Sequence, residues 1–251
     1  MYDNNGHGTH IAGTIAESTG DNVKIIPVKD SDKSTITTVN IVAGLNWIIN
    51  NGNIDVVNMS FGGSKSAIIA QTVEAANQQN IICVAAAGNS YTSAPSYPAA
   101  LDTTISISAV EKSGIDGSLS KSDYSNFGSH ITFTAPGTNI NSLNSQTADN
   151  GNEDLTIKSG TSMATPHVVS AVALLKGFNK SLTKNQIVDL MKKSTIDLGE
   201  DGWDSLYGYG FIDFSSARFC DGEDCDQYNV YKNGYNSGTK RIDVGSNTYS
   251  M

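Results

Sequence analysis

No run of about 18 consecutive apolar residues occurs anywhere in the sequence, so nothing in it reads as a membrane-spanning helix. Positive charge is scarce as well. Sixteen lysines and arginines face 25 aspartates and glutamates, for a net charge of −9, and without a basic surface general binding to nucleic-acid phosphates is excluded. A charged-then-apolar signal segment is absent from the first residues. The three cysteines, Cys83, Cys220 and Cys225, are too few for a disulfide framework, and no second Cys/His pair completes a zinc signature. Cys83 lies in the apolar run NIICVAAAG and is expected in the core. Cys220 and Cys225 bracket DGED, and the spacing leaves open whether they pair. The acidic stretch DGEDCD lacks the length and alternation of an EF-hand loop and reads as a solvated turn, so no metal ligands are assigned.

What is present is enough apolar material, 38% of 251 residues, for a large folded core. Five runs rich in Val and Ile predict buried strands: 23–29, 54–60, 81–87, 103–110 and 130–136. Helical spacing appears between and after them. Val39, Val42, Ala43 and Trp47 fall on one face of a segment that Gly52 can stop, and Ile69, Val73 and Ala76 line another. The segment SMATPHVVSAVALLKGF is apolar enough for a buried helix, and Thr183 caps a further one with Ile187, Val188 and Met191 facing inward. Alternating strands and helices predict an α/β fold of three layers with a mostly parallel central sheet. Composition shifts after Arg218, so 1–218 is read as the main domain and 219–251 as a tail or the start of a β-rich appendage.

Three segments carry the chemistry. GHGTHIAGTIA sets a glycine-flanked His7 at the mouth of an amphipathic helix, VAAAGNS ends a strand on Asn89, and SGTSMATPH sets Ser162 at the start of an apolar helix. A helix N-terminus offers free N–H groups and partial positive charge to a developing oxyanion. Nucleophile, base and oxyanion donor are the needs of acyl transfer, and Ser162, His7 and Asn89 fill them. A nucleophile elbow is excluded, because Ala164 stands where that motif needs glycine and only His167 follows the serine.

HGTHIAGTIA, NMSFGG, AAAGN and GTSMATPHV, in that order, resemble the signatures of the subtilisin family of serine peptidases over roughly residues 3–218. The resemblance implies that His7 is the general base, Ser162 the nucleophile and Asn89 an oxyanion donor, with the Ser162 N–H as the second donor. It implies an extended polypeptide substrate lying along Ser60, Phe61 and Gly62. Ala86, Ala87 and Gly88 would wall the pocket for the side chain before the scissile bond, with Ser96 at its base. Since Ser96 is small and uncharged, an apolar or aromatic preference is expected there. His10, His130 and His167 read as packing residues. No cofactor is implied, nor a nucleic-acid or membrane partner; a monomer outside the cell or at its surface is expected.

Two departures from the family pattern stand out. The family's acid precedes the histidine by some tens of residues on an early strand, whereas six residues precede His7 here. The acid and an inner strand are therefore expected to be missing, and an N-terminally truncated chain would be poorly active alone. Asp3 reads as a turn residue rather than a substitute. The calcium loop that many members insert after the first helix is also absent, since AESTGDNVKIIPV passes directly from helix to strand. A different class of function, a catalytically silent subtilase-derived module that holds extended peptides, is the alternative reading.

Overall fold

A computed structural model describes residues 3–31, 35–113, 117–145, 155–212, 217–221, 224–227 and 240–243. Four of the predicted runs form strands: β1 (Val56–Met59), β2 (Ile82–Ala86), β3 (Thr104–Ser113) and, after the short β4 (Ser118–Lys121), β5 (Phe133–Pro136). β1, β2, β3 and β5 are neighbours in that order and all parallel. The two-residue strands β8 (Thr195–Ile196) and β9 (Phe211–Ile212) extend the sheet beyond β5, and β4 folds back on β3. Parallel neighbours need crossovers: α3 (Ala67–Gln78) supplies the one from β1 to β2, the next two run through loops and β4, and α2 (Thr38–Asn51) leads into β1.

Strand alternation divides the apolar residues between two cores. Ile82 and Val84 of β2 face α1 (His7–Thr19), α4 (Thr161–Phe178) and α5 (Lys184–Lys192), while Cys83 and Ala85 face α2 and α3. Cys83 is buried as expected, and burial pushes its thiol up to about 12. Helix α4 runs under the sheet with nearly every side chain covered, the behaviour of a helix apolar on all sides. Its one buried charge, Lys176, is 1% exposed and donates to the carbonyls of Asn80 and Lys180 at 2.9 and 3.0 Å. Thr183 and Gln186 close a capping box at the start of α5, above the buried Ile187 and Met191.

Two expectations are corrected. Residues 23–29 form no strand, although Val23 and Ile25 pack on the first core; Ile26 and Val28 stay exposed. A strand needs a neighbour to pair its backbone, and among the described residues none pairs with this run. The free edge of β1 is likewise unpaired among them. In α2 the buried residues are Leu45 and Ile48, with Val39 74% and Trp47 45% exposed. Of the predicted face, Val42 packs against the second core while Val39, Ala43 and Trp47 are exposed; apolar residues surround this helix, so periodicity alone misplaces the face.

Beyond β5, the hairpin of β6 (Ile140–Leu143) and β7 (Leu155–Lys158) packs on α1. Most of 219–251 lies outside the described residues. Strands β10 (Ala217–Asp221), β11 (Asp224–Gln227) and β12 (Lys240–Asp243) form a separate small sheet in which Cys220 and Cys225 are backbone partners.

One glycine is tied to this architecture with a measurable consequence. Gly208 has φ +64, and a Cβ there would overlap the Thr132 carbonyl at the entry to β5. Gly208→Ala is expected to destabilise the fold by about 2 kcal/mol or more, lowering Tm by roughly 4 °C or more in a thermal melt.

Candidate active site

Helix α1 begins at His7, immediately after Gly6 in the left-handed region at φ +77. Asp3 holds this entry. Its Oδ1 accepts from the N–H groups of Asn5 and Gly6 at 3.1 and 2.9 Å. Its Oδ2 accepts from the Thr9 N–H and Oγ1, both at 2.8 Å. Burial raises the Asp3 pKa, but these bonds to the charged carboxylate outweigh it and hold the value down at about 2. Asp3 is thus a capping residue, and neither of its oxygens accepts from the His7 ring. Among the described residues no hydrogen bond reaches that ring. Burial depresses the His7 pKa, Lys158 and His10 add to this through their charges, and Asp3 opposes it.

The serine lies one residue inside α4, a helix that packs on α1. Thr161 opens α4, and its N–H and Oγ1 both donate to Asn89 Oδ1, at 2.8 and 2.9 Å. Thr161 Oγ1 in turn accepts from the Gly88 N–H at 3.1 Å. With Oδ1 held by two donors, the Asn89 amide has one orientation. Its Nδ2 lies beside Gly160, 3.2 Å from where a Cβ would stand, and that same point is 3.7 Å from the Ser162 nitrogen. The Ser162 N–H has no partner among the described residues, as expected in a first helical turn. Two donors therefore flank a space that Gly160 leaves empty.

Proline sets the other side of the serine. Pro166 has no N–H to give the carbonyl four residues earlier, which is that of Ser162. Ser60 supplies the missing donor, its Oγ reaching the Ser162 carbonyl at 2.8 Å while accepting from Asn58 Nδ2 at 2.9 Å. The Ser162 hydroxyl donates back to the Ser60 carbonyl at 3.2 Å. No hydrogen bond joins it to His7. Ser60 therefore anchors the first turns of α4 as well as following β1.

The walls of the adjoining recess come from the ends of β1 and β2. A Cβ on Gly62 would meet Ser96 Oγ at 2.5 Å, and one on Gly88 would lie 3.7 Å from Ser96 Cβ, so Ser96 sits between the two glycines. Gly63 and Tyr97 exchange two backbone bonds of 2.9 Å that tie the segments together. Ala86 and Ala87 are buried, and Phe61 is half-buried against the second core. Asn126, from the loop before β5, pins this wall. Its Nδ2 donates to the Ala87 carbonyl at 2.8 Å, and its Oδ1 accepts from the Ser90 and Thr92 N–H groups at 2.9 and 3.3 Å.

The profile of the Subtilase family matches residues 1–210. The chain belongs to the subtilase family. A thermostable alkaline protease of Halalkalibacterium halodurans is 37% identical over 221 residues, covering 84% of this chain and 57% of that protein. Subtilisin DY of Bacillus licheniformis is 35% identical over 86% of this chain and 78% of its own length. The minor extracellular protease Epr of Bacillus subtilis is 35% identical, and this chain spans 33% of it. Among solved structures, a cold-adapted subtilisin-like serine proteinase superposes with a TM-score of 0.73 at 31% identity, over 84% of this chain and 75% of that one.

In this subtilase the remaining histidines lie apart from the serine's hydrogen bonds. His10 is buried, with Nε2 3.0 Å from the Ile140 carbonyl, and burial holds the pKa of His167 at about 3. His130 precedes β5, and burial lowers its pKa too. Among the described residues no group of three or more His, Cys, Asp or Glu side chains gathers as a metal site, and no described helix is long and apolar enough to cross a membrane. Asn126 escapes a sequence reading because an asparagine 37 positions after Asn89 carries no motif of its own, and Thr161, although inside GTSMATPHV, has no role legible there before its bonds to Asn89 are seen.

Proposed function

We propose that this chain is the peptidase portion of a serine endopeptidase that cleaves polypeptides through an acyl-enzyme on Ser162. His7 takes the serine proton and later returns it to the leaving amine. Asn89 Nδ2 and the Ser162 N–H stabilise the oxyanion. The observation that carries this reading is the locked Asn89 amide, whose donor and the free Ser162 N–H flank the space beside Gly160. Such fixed donors serve a charge that appears only during reaction. That the Ser162 hydroxyl donates to the Ser60 carbonyl rather than to His7 does not weigh against it, since catalytic hydrogen bonds often form or tighten only with substrate bound.

The substrate would lie extended along Ser60, Phe61 and Gly62, pairing backbone to backbone. Its side chain before the scissile bond would enter between Gly62 and Gly88, over Ala86, Ala87 and Ser96. Residues 1–218 would form the peptidase domain and 219–251 an appendage. The chain would act as a monomer outside the cell, a location that fits relatives such as the minor extracellular protease Epr. With no carboxylate on the His7 ring among the described residues, turnover of this chain alone is expected to be slower, by up to about 10⁴-fold relative to a complete triad.

A fluorophosphonate, which phosphonylates an activated serine and releases fluoride, tests the proposal. Labelling should map to Ser162 and vanish in His7→Ala. An unlabelled protein that still binds extended peptides would instead establish the silent binding module.

Pocket preference gives a second check. Ser96→Gly removes the hydroxyl beside Gly62 and is expected to raise kcat/KM for Phe or Tyr before the scissile bond, relative to Ala, by about 3–10-fold. A dominant preference for Arg or Lys in cleaved peptides would contradict this pocket assignment.

A further inference from the structure

Cys220 and Cys225, whose spacing alone leaves their pairing open, acquire a definite relation in the small sheet. Strands β10 and β11 run antiparallel, and Cys220 is the direct cross-strand partner of Cys225. Residues directly opposite in such a pair share one face, with Cα atoms about 4.5 or 5.5 Å apart according to the kind of pair they form. A disulfide bridges Cα atoms about 4.4–6.8 Å apart. Both separations fall inside that span, so the backbone register by itself brings the two positions within bonding reach. A slip of one residue would set Cys220 opposite Asp224 or Asp226 and lose the relation.

The ladder around this pair is poorly held by other means. The next pair sets Asp221 opposite Asp224, and like charges directly opposite destabilise a sheet. On the other side Phe219 faces Asp226, which offers it no apolar partner. The strands are only five, four and four residues long. The branched aliphatic residues of 219–251 are Val230, Ile242 and Val244, too few to build an apolar core. Small units with so little to bury are commonly held by a cross-link instead.

The third cysteine does not compete. Cys83 is buried in β2, and burial pushes its thiol up to about 12, so it supplies no thiolate for exchange.

We propose that Cys220 and Cys225 form a disulfide that staples β10 to β11 and fixes their register. The inference stands apart from the peptidase reading. The bond forms by exchange with a disulfide oxidant such as oxidised glutathione. One cysteine thiolate attacks it and releases one glutathione thiol, and the other attacks the mixed disulfide and releases the second. Two protons and two electrons thus pass from the protein thiols to two glutathione molecules. Closing the loop removes conformational freedom from the opened hairpin, so opening becomes rarer.

The test is a thiol count on the full chain, equilibrated with equal concentrations of reduced and oxidised glutathione and then denatured and alkylated. Without reductant the chain should carry one label, on Cys83, and with reductant all three cysteines should be labelled. The tryptic peptide 219–232, which holds both residues, should be lighter by two hydrogen atoms before reduction than after it. Three labels without reductant, glutathione retained on either cysteine, or both thiols free around a bound metal ion would each overturn the proposal. So would a disulfide-linked dimer on a non-reducing gel. Native-state proteolysis then reads the stapling itself. Trypsin should cleave after Arg218, within β10, about tenfold faster in the reduced chain and in Cys225→Ser than in the oxidised chain. Equal rates would refute the stapling role even with the bond present.

Discussion

Ser162→Ala is expected to lower kcat on quenched peptides to background, with KM nearly unchanged. In subtilisin itself, removing the serine or the histidine alone costs on the order of 10⁶ in kcat, and losses within the triad do not add. With no carboxylate on the His7 ring among the described residues, most of that loss is already incurred, so a further fall of about 10² is expected here. Nothing else at the start of α4 offers a nucleophile: Thr161 Oγ1 is bonded to Asn89 and Gly88, and Thr165 Oγ1 to the Thr161 carbonyl at 2.8 Å. His7→Ala should match Ser162→Ala, and the double variant should be no slower than either. The pH profile adds a signature. Burial first, then the charges of Lys158 and His10, keep His7 below its ordinary value, so its neutral, proton-accepting form persists to lower pH than in a free histidine. Wild-type kcat/KM should therefore rise along a limb centred below about pH 6.5. Retention of more than about a tenth of wild-type kcat in Ser162→Ala would remove the serine from its assigned role.

Much of this site is legible in the chain because its parts are local. A glycine-flanked histidine at a helix start, an asparagine ending an apolar strand and a serine opening an apolar helix each occupy a few consecutive residues. Strand β2 is legible for a similar reason, since full burial of Ile82–Ala86 demands an unbroken apolar run, whereas β1, β3 and β5 interleave Asn, Ser or Thr with their apolar residues.

What fails to show is whatever depends on a distant neighbour. Residues 23–29 have a strand's composition, but pairing is a property of two segments, and among the described residues no partner lies beside them. The buried face of α2 is decided by packing on α3, which leaves Val39 and Trp47 outside and takes Leu45 and Ile48 in. The link from Ser60 to the Ser162 carbonyl joins residues 102 positions apart and exists because Pro166 withholds an N–H. Asn126 and Thr161 belong to the same class. Their side chains bind backbone and amide groups brought near only by the crossing of strand ends over α4.

That dependence makes Asn89 the most informative residue to change after the serine. Asn89→Leu keeps approximate volume and removes the Nδ2 donor, and kcat is expected to fall by about 10²–10³, or roughly 2.7–4 kcal/mol of transition-state stabilisation, with KM little altered. The size of this effect is that seen for the corresponding donor in subtilisin. What the geometry adds here is a graded companion. Thr161→Ala removes one of the two donors that hold Asn89 Oδ1, the hydroxyl at 2.9 Å, but leaves the backbone N–H at 2.8 Å. The amide then keeps its orientation most of the time, and the loss in kcat should stay near tenfold or below. If Nδ2 works as an oxyanion donor, combining Thr161→Ala with Asn89→Leu should cost little more than Asn89→Leu alone, because an aligning contact is worthless once the aligned group is gone. Full additivity in steady-state kcat would mean that Thr161 acts on the reaction by a route other than Asn89.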